Sequence, residues 1–111
     1  RGAVVVVDQD VRVQVWSPKA EDLWGLRAEE VDGKNFLYLD IGLPVEQLRE
    51  PIRACLRKEQ ASETLLLDAI NRRGKAIKCR VTYSPLFDHS KDGVEGVILV
   101  MEDAELGVDG A

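Results

Sequence analysis

Few side chains here have the types and spacing that chemistry needs. Cys55 and Cys79 are the two thiols, and His89 is the single imidazole. Without a Cys-x-x-Cys pair, that set is too small for a protein-only zinc or iron–sulfur site. His89 falls in the polar run Asp88-His89-Ser90-Lys91-Asp92-Gly93, where it reads as a solvated side chain rather than a ligand. The cysteines read as buried, reduced thiols of a cytosolic (cytoplasmic) protein, with a disulfide or redox-sensing pair as the alternative. Glu29-Glu30 and Glu102-Asp103 are carboxylate pairs, but adjacent ones that read as exposed, so no acid–base tuning follows. The sequence has no Ser-His-Asp set, no phosphate loop and no metal quartet. Catalysis has little to stand on.

The elements that would position any site are legible from periodicity. Ala3 to Asp8 is a β-branched run, and Val11, Val13 and Val15 alternate with Arg12, Gln14 and Trp16. With Asp8-Gln9-Asp10 between them, the two runs predict a hairpin. Ser17-Pro18 opens a short helix, Ser as N-cap and Pro at the first helical position, and Gly25 stops it. A second turn spans Ala28 to Val31 and ends at Asp32-Gly33, before the apolar anchors Phe36, Leu37 and Leu39. The longest helix is expected from about Val45 to Lys58, with Val45, Leu48, Ile52, Cys55 and Leu56 at helical spacing. Pro51 must kink it or mark a restart. Three strands close the chain: Thr64–Ile70, Lys75–Ser84 and Val94–Met101. Asn71-Arg72-Arg73-Gly74 joins the first two. In the second, Ile77, Cys79, Val81 and Tyr83 share one face.

The bulk numbers bound the rest. A chain of 111 residues, 45% hydrophobic and 32% charged, makes one domain with a core of its own. Its formal net charge of −5 argues against a nucleic-acid surface. No apolar run is long enough to span a membrane, and no signal peptide is visible. The chain begins at Arg1 and ends at Gly110-Ala111, and reads as a segment of a larger protein. Residues 104–111 are expected to be a linker or disordered tail.

The order strand–strand–short helices–long helix–three strands resembles the PAS domain, from Val4 to Asp103. Ser17, Ala20, Leu23 and Gly25 look like the family's Asn-x-x-Ala-x-x-Leu-x-Gly helix, with Ser for Asn. Glu29-Glu30-Val31-x-Gly33-x-x-Phe36 resembles the turn that follows it, Asn71-Arg72-Arg73-Gly74 the Arg-x-Asp-Gly hairpin, and Gly96 to Asp103 the last strand. The resemblance implies an α+β fold, a five-stranded antiparallel sheet in the order 2-1-5-4-3 with helices on one face. The stretches Trp16-Ser17 to Arg27 and Asp40 to Pro44 also resemble PAS modules of bacterial chemotaxis methylesterase–methyltransferase hybrids and hybrid sensor kinases. A two-component or chemotaxis-like parent is thereby implied.

Cofactor-bearing branches of the family leave marks that are missing here. Gly33-Lys34-Asn35-Phe36 has Phe where the flavin photoreceptors have their reactive Cys, which argues against covalent flavin. The long helix has no His, which argues against His-ligated haem. What remains is an apolar interior, read either as plain core or as a small ligand pocket: Trp24, Asn35, Phe36, Leu39, Leu48, Ile52, Cys55, Ile77, Cys79 and Tyr83. Tyr83 and Asn35 are its polar groups. A small apolar ligand is the occupant this pocket would suit. Signal output is expected through Glu102 and Asp103, although Ala104-Glu105 stand where the family has Ile/Val-Thr. The basic cluster Arg72, Arg73, Lys75, Lys78 and Arg80 reads as a solvated turn with cross-strand pairing to Asp68 and Glu63, or as a dock for an acidic partner. The first and last strands are apolar on both faces, which predicts a covered outer face at Val5, Val7, Val97, Leu99 and Met101. A homodimer or an attached output domain would cover it. Two readings follow: a sensory domain controlling an output domain, or a ligand-free dimerisation and docking module.

Overall fold

A computed structural model describes residues 2–90 and 92–105. Five strands are present: β1 (Ala3–Asp8), β2 (Val13–Trp16), β3 (Glu63–Ile70), β4 (Ala76–Phe87) and β5 (Val94–Asp103). Between β2 and β3 come α1 (Pro18–Trp24), α2 (Ala28–Val31), two 3-10 turns (Phe36–Tyr38 and Val45–Leu48) and α3 (Arg49–Leu56). The strands form one antiparallel sheet in the order β2-β1-β5-β4-β3. The expected five-stranded topology is the one observed. The segment 106–111, expected as a tail, lies outside the described residues, as does Lys91 in the β4–β5 loop.

Ser17 fixes how the first hairpin hands over to the helices. Its Oγ accepts the N–H of Ala20 at 3.3 Å, capping α1, and the N–H of Val4 at 2.8 Å, tying the helix start to β1. Pro18 occupies the first helical turn, and Gly25 ends α1 with φ of 88°. Trp16 departs from simple alternation. The β1–β2 register slips between Val6 and Val7, so Val13 and Trp16 are both buried while Val15 is 45% exposed. A bulge inserts one residue and turns the later side chains over. Trp16 then donates its indole N–H to the Leu26 carbonyl at 2.9 Å.

The long helix is shorter than periodicity suggests, because it restarts. Val45–Leu48 winds as a 3-10 turn and α3 begins at Arg49, which makes Pro51 its third residue. There the missing N–H is one that no intrahelical carbonyl would accept. At the other end, Glu59 N–H donates to Ala54 O at 2.8 Å and Lys58 N–H to Cys55 O at 3.1 Å, closing a Schellman motif. Lys58 holds the left-handed position at φ 62°. A non-glycine residue there costs about 1–2 kcal/mol, against roughly 0.5–1 kcal/mol of added chain entropy for glycine. Lys58→Gly is therefore expected to raise stability by up to ~1 kcal/mol, read as a higher urea midpoint at unchanged slope.

The sheet buries one face against the helices. α1 packs on β1, α2 on β2, and α3 across β4 and β5. Register aligns Ala3 with Met101, Val5 with Leu99 and Val7 with Val97 across β1–β5, then Met101 with Val81 and Leu99 with Tyr83 across β5–β4. All of these are buried. This corrects the expected interface. Val5, Val7, Val97, Leu99 and Met101 are each 0% exposed and face the helices, so they are the centre of the core. The outward face is carried by the other parity, Val4, Val6, Ile98 and Val100, which are half-buried, together with exposed Val15 and Leu66. With apolar residues on both parities, period two cannot say which set turns inward.

Candidate functional site

The interior between the helices and the sheet collects most of the expected pocket residues. Phe36, Leu48, Ile52, Cys55 and Cys79 are 0% exposed, and Trp24, Ile77 and Tyr83 are 6% exposed or less. Leu39 is only half-buried, while its neighbour Leu37 is buried in the 3-10 turn. Val31, Leu43, Leu67 and Ala69 also belong to this core and were not singled out by sequence. For Leu67 and Ala69 the signal was present in the alternation along β3, which presents them to the helices between the exposed Leu66, Asp68 and Ile70.

Asn35 is half-buried and uses its carbonyl oxygen within its own chain. Its Oδ1 accepts the N–H of Leu37 at 2.8 Å and caps the 3-10 turn, while its backbone bridges Arg12. One acceptor position of this expected pocket group is therefore taken by its own chain. Tyr83 does face inward. Burial pushes its phenol pKa up, and Glu63, its register partner on β3, and Cys55 add to that. Burial also raises both thiols, Cys55 by desolvation alone and Cys79 to about 12. Both are free, so neither forms a disulfide in this structure. Protonated at neutral pH, they are poor nucleophiles and poor metal ligands. Among the described residues no group of three or more His, Cys, Asp or Glu could hold a metal ion.

One atom in this interior stands apart. Trp24 is 5% exposed, and its indole N–H has no hydrogen-bond partner among the described residues. Trp16, the other tryptophan, spends its N–H on a backbone carbonyl. A buried donor left unpaired costs about 1–3 kcal/mol, so such an atom marks a place where a water or a ligand acceptor belongs.

The expected output residues end β5 beside the core. Cys79 is opposite Asp103 in the β4–β5 register, and Arg80 is opposite Glu102 with an ion pair at 3.7 Å. After Asp103 the chain turns helical at Ala104 and Glu105, and Asp103 Oδ1 accepts the Glu105 N–H at 3.1 Å. Ala104 is itself buried. The expected output residues thus lie beside the most strongly perturbed thiol of the core.

Three residues of the basic cluster, Arg72, Lys78 and Arg80, form surface ion pairs. Lys78 bonds Asp68 across β3–β4, which holds its pKa up, and Arg72 reaches Asp22 of α1 at 3.9 Å. Glu63 is opposite Tyr83, not a base. Away from the core, an open cleft of about 300 Å³ lies between β2 and α2, lined by Val13, Gln14, Trp16, Ala28, Glu29 and Asp32. None of the expected pocket residues lines it.

The family model for the PAS fold matches residues 1–104. The chain belongs to the PAS family. Domains of this family are generally sensory modules without catalytic activity. The PAS domain of histidine kinase ThkA superposes with a TM-score of 0.73 at 24% identity, covering 92% of this chain and 98% of that one. VqmA bound to DPO gives a TM-score of 0.81 at 18% identity over 96% of this chain and 54% of its own, so this PAS domain spans about half of VqmA. The Cronobacter turicensis RpfR quorum-sensing receptor PAS domain, in complex with BDSF, gives 0.67 at 18% identity, covering 93% of each chain. At these identities the likeness is one of fold. No curated protein matches the chain. No helix among the described residues is long and apolar enough to cross a membrane.

Proposed function

We propose that residues 1–103 of this PAS domain form the cytoplasmic sensory input of a larger bacterial signal-transduction protein, and that the segment after Asp103 carries its state to an attached output domain. The unpartnered indole N–H of Trp24 carries this reading. The ligand it suits is small and apolar, with one hydrogen-bond acceptor, held without a covalent bond. Neither a reactive Cys at Phe36 nor a His on α3 is available to bind flavin covalently or haem. Similar folds that hold a ligand, VqmA bound to DPO and the RpfR PAS domain in complex with BDSF, support the reading.

In this mechanism an occupant accepts the Trp24 N–H and repacks the side chains that α3 lays on β4 and β5. Cys79 and Met101 pass the change along paired strands to Asp103, where the helical turn at Ala104 begins. Coupling of about 1–3 kcal/mol suffices for regulation of this kind.

A second reading rests on the outer sheet face, where Val4, Val6, Val15, Ile98 and Val100 form an apolar band. Covered by an output domain or a second subunit, that band would make the domain a ligand-free interaction module. Native mass spectrometry of freshly purified protein, compared with its denatured mass, separates the two. The sensor reading expects extra mass that leaves on denaturation. It also expects Trp24→Phe, which keeps most of the ring and removes the donor, to weaken retention of that mass about tenfold, as loss of one hydrogen bond would. A bare mass, together with Trp24→Phe more stable than the parent, would mean that the donor is simply unsatisfied and would sink the sensor reading.

A further inference from the structure

The two edges of the sheet are built differently. β2 has four residues and a register slip against β1, both of which blunt an edge. β3 has eight residues paired with β4 without interruption, and its segment Glu63–Ile70 contains no Lys, Pro or Gly. Of the usual protections against strand addition it has only two acidic side chains, Glu63 and Asp68, and loop cover at Ile70, which leaves Leu65–Leu67 in its middle bare of charge.

Hydrogen bonding shows which residues point off that edge. Asn71 N–H donates to Lys75 O at 2.9 Å, while Ile70 N–H turns the other way and donates to Gly42 O at 2.9 Å. In an antiparallel ladder this alternation continues, so Thr64, Leu66 and Asp68 direct both backbone groups away from β4. Gly42 occupies the Ile70 end. The open positions are therefore three.

We infer that this edge is a self-pairing surface, on which β3 of a second copy of this chain adds antiparallel with Leu66 on the two-fold axis. This register pairs Leu66 with its own mate and Thr64 with Asp68, and uses all three open positions. A shift of two residues one way would demand the backbone groups of Ile70, which Gly42 already holds. A shift the other way reaches past the strand to Ser62. The chosen register sets Thr64 hydroxyl opposite the Asp68 carboxylate, and Glu63 opposite Ala69, so no like charges face each other. Leu66, 59% exposed in the single chain, meets its mate on the outer face. Two sheets join into one of ten strands, and the surface is distinct from the outer valine band.

The axis makes a sharp test. A hydrogen-bonded antiparallel pair has Cα atoms about 5.5 Å apart, within the ~4.4–6.8 Å that a disulfide spans. Two copies of Thr64 would be about 14 Å apart, four residues along the ladder and one strand across. Cys55 and Cys79 are fully buried and do not compete. Under mild oxidant, Leu66→Cys is expected to give a covalent dimer at least tenfold faster than Thr64→Cys. Leu66→Lys is expected to weaken the dimer at least tenfold by analytical ultracentrifugation, with an unchanged far-ultraviolet spectrum. Equal cross-linking by the two cysteine variants would overturn the inference. So would a wild-type chain that stays monomeric at all concentrations, or a dimer that survives Leu66→Lys and is lost with Val6→Lys.

Discussion

Gly96→Ala is expected to destabilise this domain by at least ~3 kcal/mol, enough to leave much of it unfolded if its stability is near the low end of the usual 5–15 kcal/mol. Gly96 lies in β5 opposite Asp8 of β1, and a Cβ added there would be 2.1 Å from the Val7 carbonyl oxygen. That oxygen is backbone in the centre of the sheet. No rotamer change moves it, so the β1–β5 ladder itself must part. Gly42→Ala would bring its Cβ even closer, 1.6 Å from the Ile70 carbonyl oxygen. The expected cost there is smaller, because the loop holding Gly42 can swing away and forfeit one hydrogen bond, about 0.5–1.5 kcal/mol plus local strain. Urea unfolding followed by circular dichroism should rank Gly96→Ala well below Gly42→Ala. Glu95→Ala, an exposed neighbour, should lie within about 0.5 kcal/mol of the parent. Equal stability of Gly96→Ala and Glu95→Ala would contradict the close β1–β5 approach.

The same close approaches explain what could be read from sequence and what could not. Local rules located the elements. Ser17-Pro18 and Gly25 bracket α1, and Asn71 to Gly74 turns β3 into β4, each by short-range chemistry. The resemblance to PAS domains supplied the strand order, which pairs β1 with β5 across some ninety residues and which no local signal encodes. Orientation was the weak point. Val4-Val5-Val6-Val7 offers equal apolar surface to both sides, and only the β1–β5 register, with α1 and α3 on one face, selects Val5 and Val7 for the core. Trp16 was turned inward by a bulge that alternation cannot foresee.

Side-chain roles in the site were harder still. Asn35 is of a type that can bind a ligand, yet one residue before a 3-10 turn its nearest orphan N–H is its own chain's. The unpaired Trp24 donor had no counterpart in any motif, because satisfaction is a property of three-dimensional neighbours. Conversely, the pairing of Lys78 with Asp68 followed directly from the hairpin, since Gly74 sets the register and the register sets the pair.

Stability of this domain is expected to fall as pH rises from about 9 towards 12, and Cys79 is the residue to test. Burial beside β5 pushes its thiol from the ordinary 9.0 up to about 12, with the Asp103 and Glu102 carboxylates adding to the effect and a backbone hydrogen bond at Glu102 opposing it. Below pH 9 the folded and unfolded chains both hold this proton, and the stability it supports is fully present. Above 9 the unfolded chain releases it while the folded chain keeps it, so the unfolded state gains. The loss is complete only when pH passes the folded value. Each pH unit in that window is worth up to about 1.4 kcal/mol for one such group. Tyr83 and Cys55, also raised by burial, steepen the slope in the same direction. Cys79→Ala removes the titrating atom and leaves those two in place. Its stability at pH 7 should drop modestly, through the lost packing of one sulfur, but its decline between pH 9 and 10.5 should be visibly shallower than that of the parent. Parallel declines would mean that the Cys79 thiol ionises as easily in the folded chain as in the unfolded one. It would then be reachable by water, and the path from the core to Asp103 would be wet rather than packed, which would remove the side-chain contact on which the proposed sensor mechanism relies.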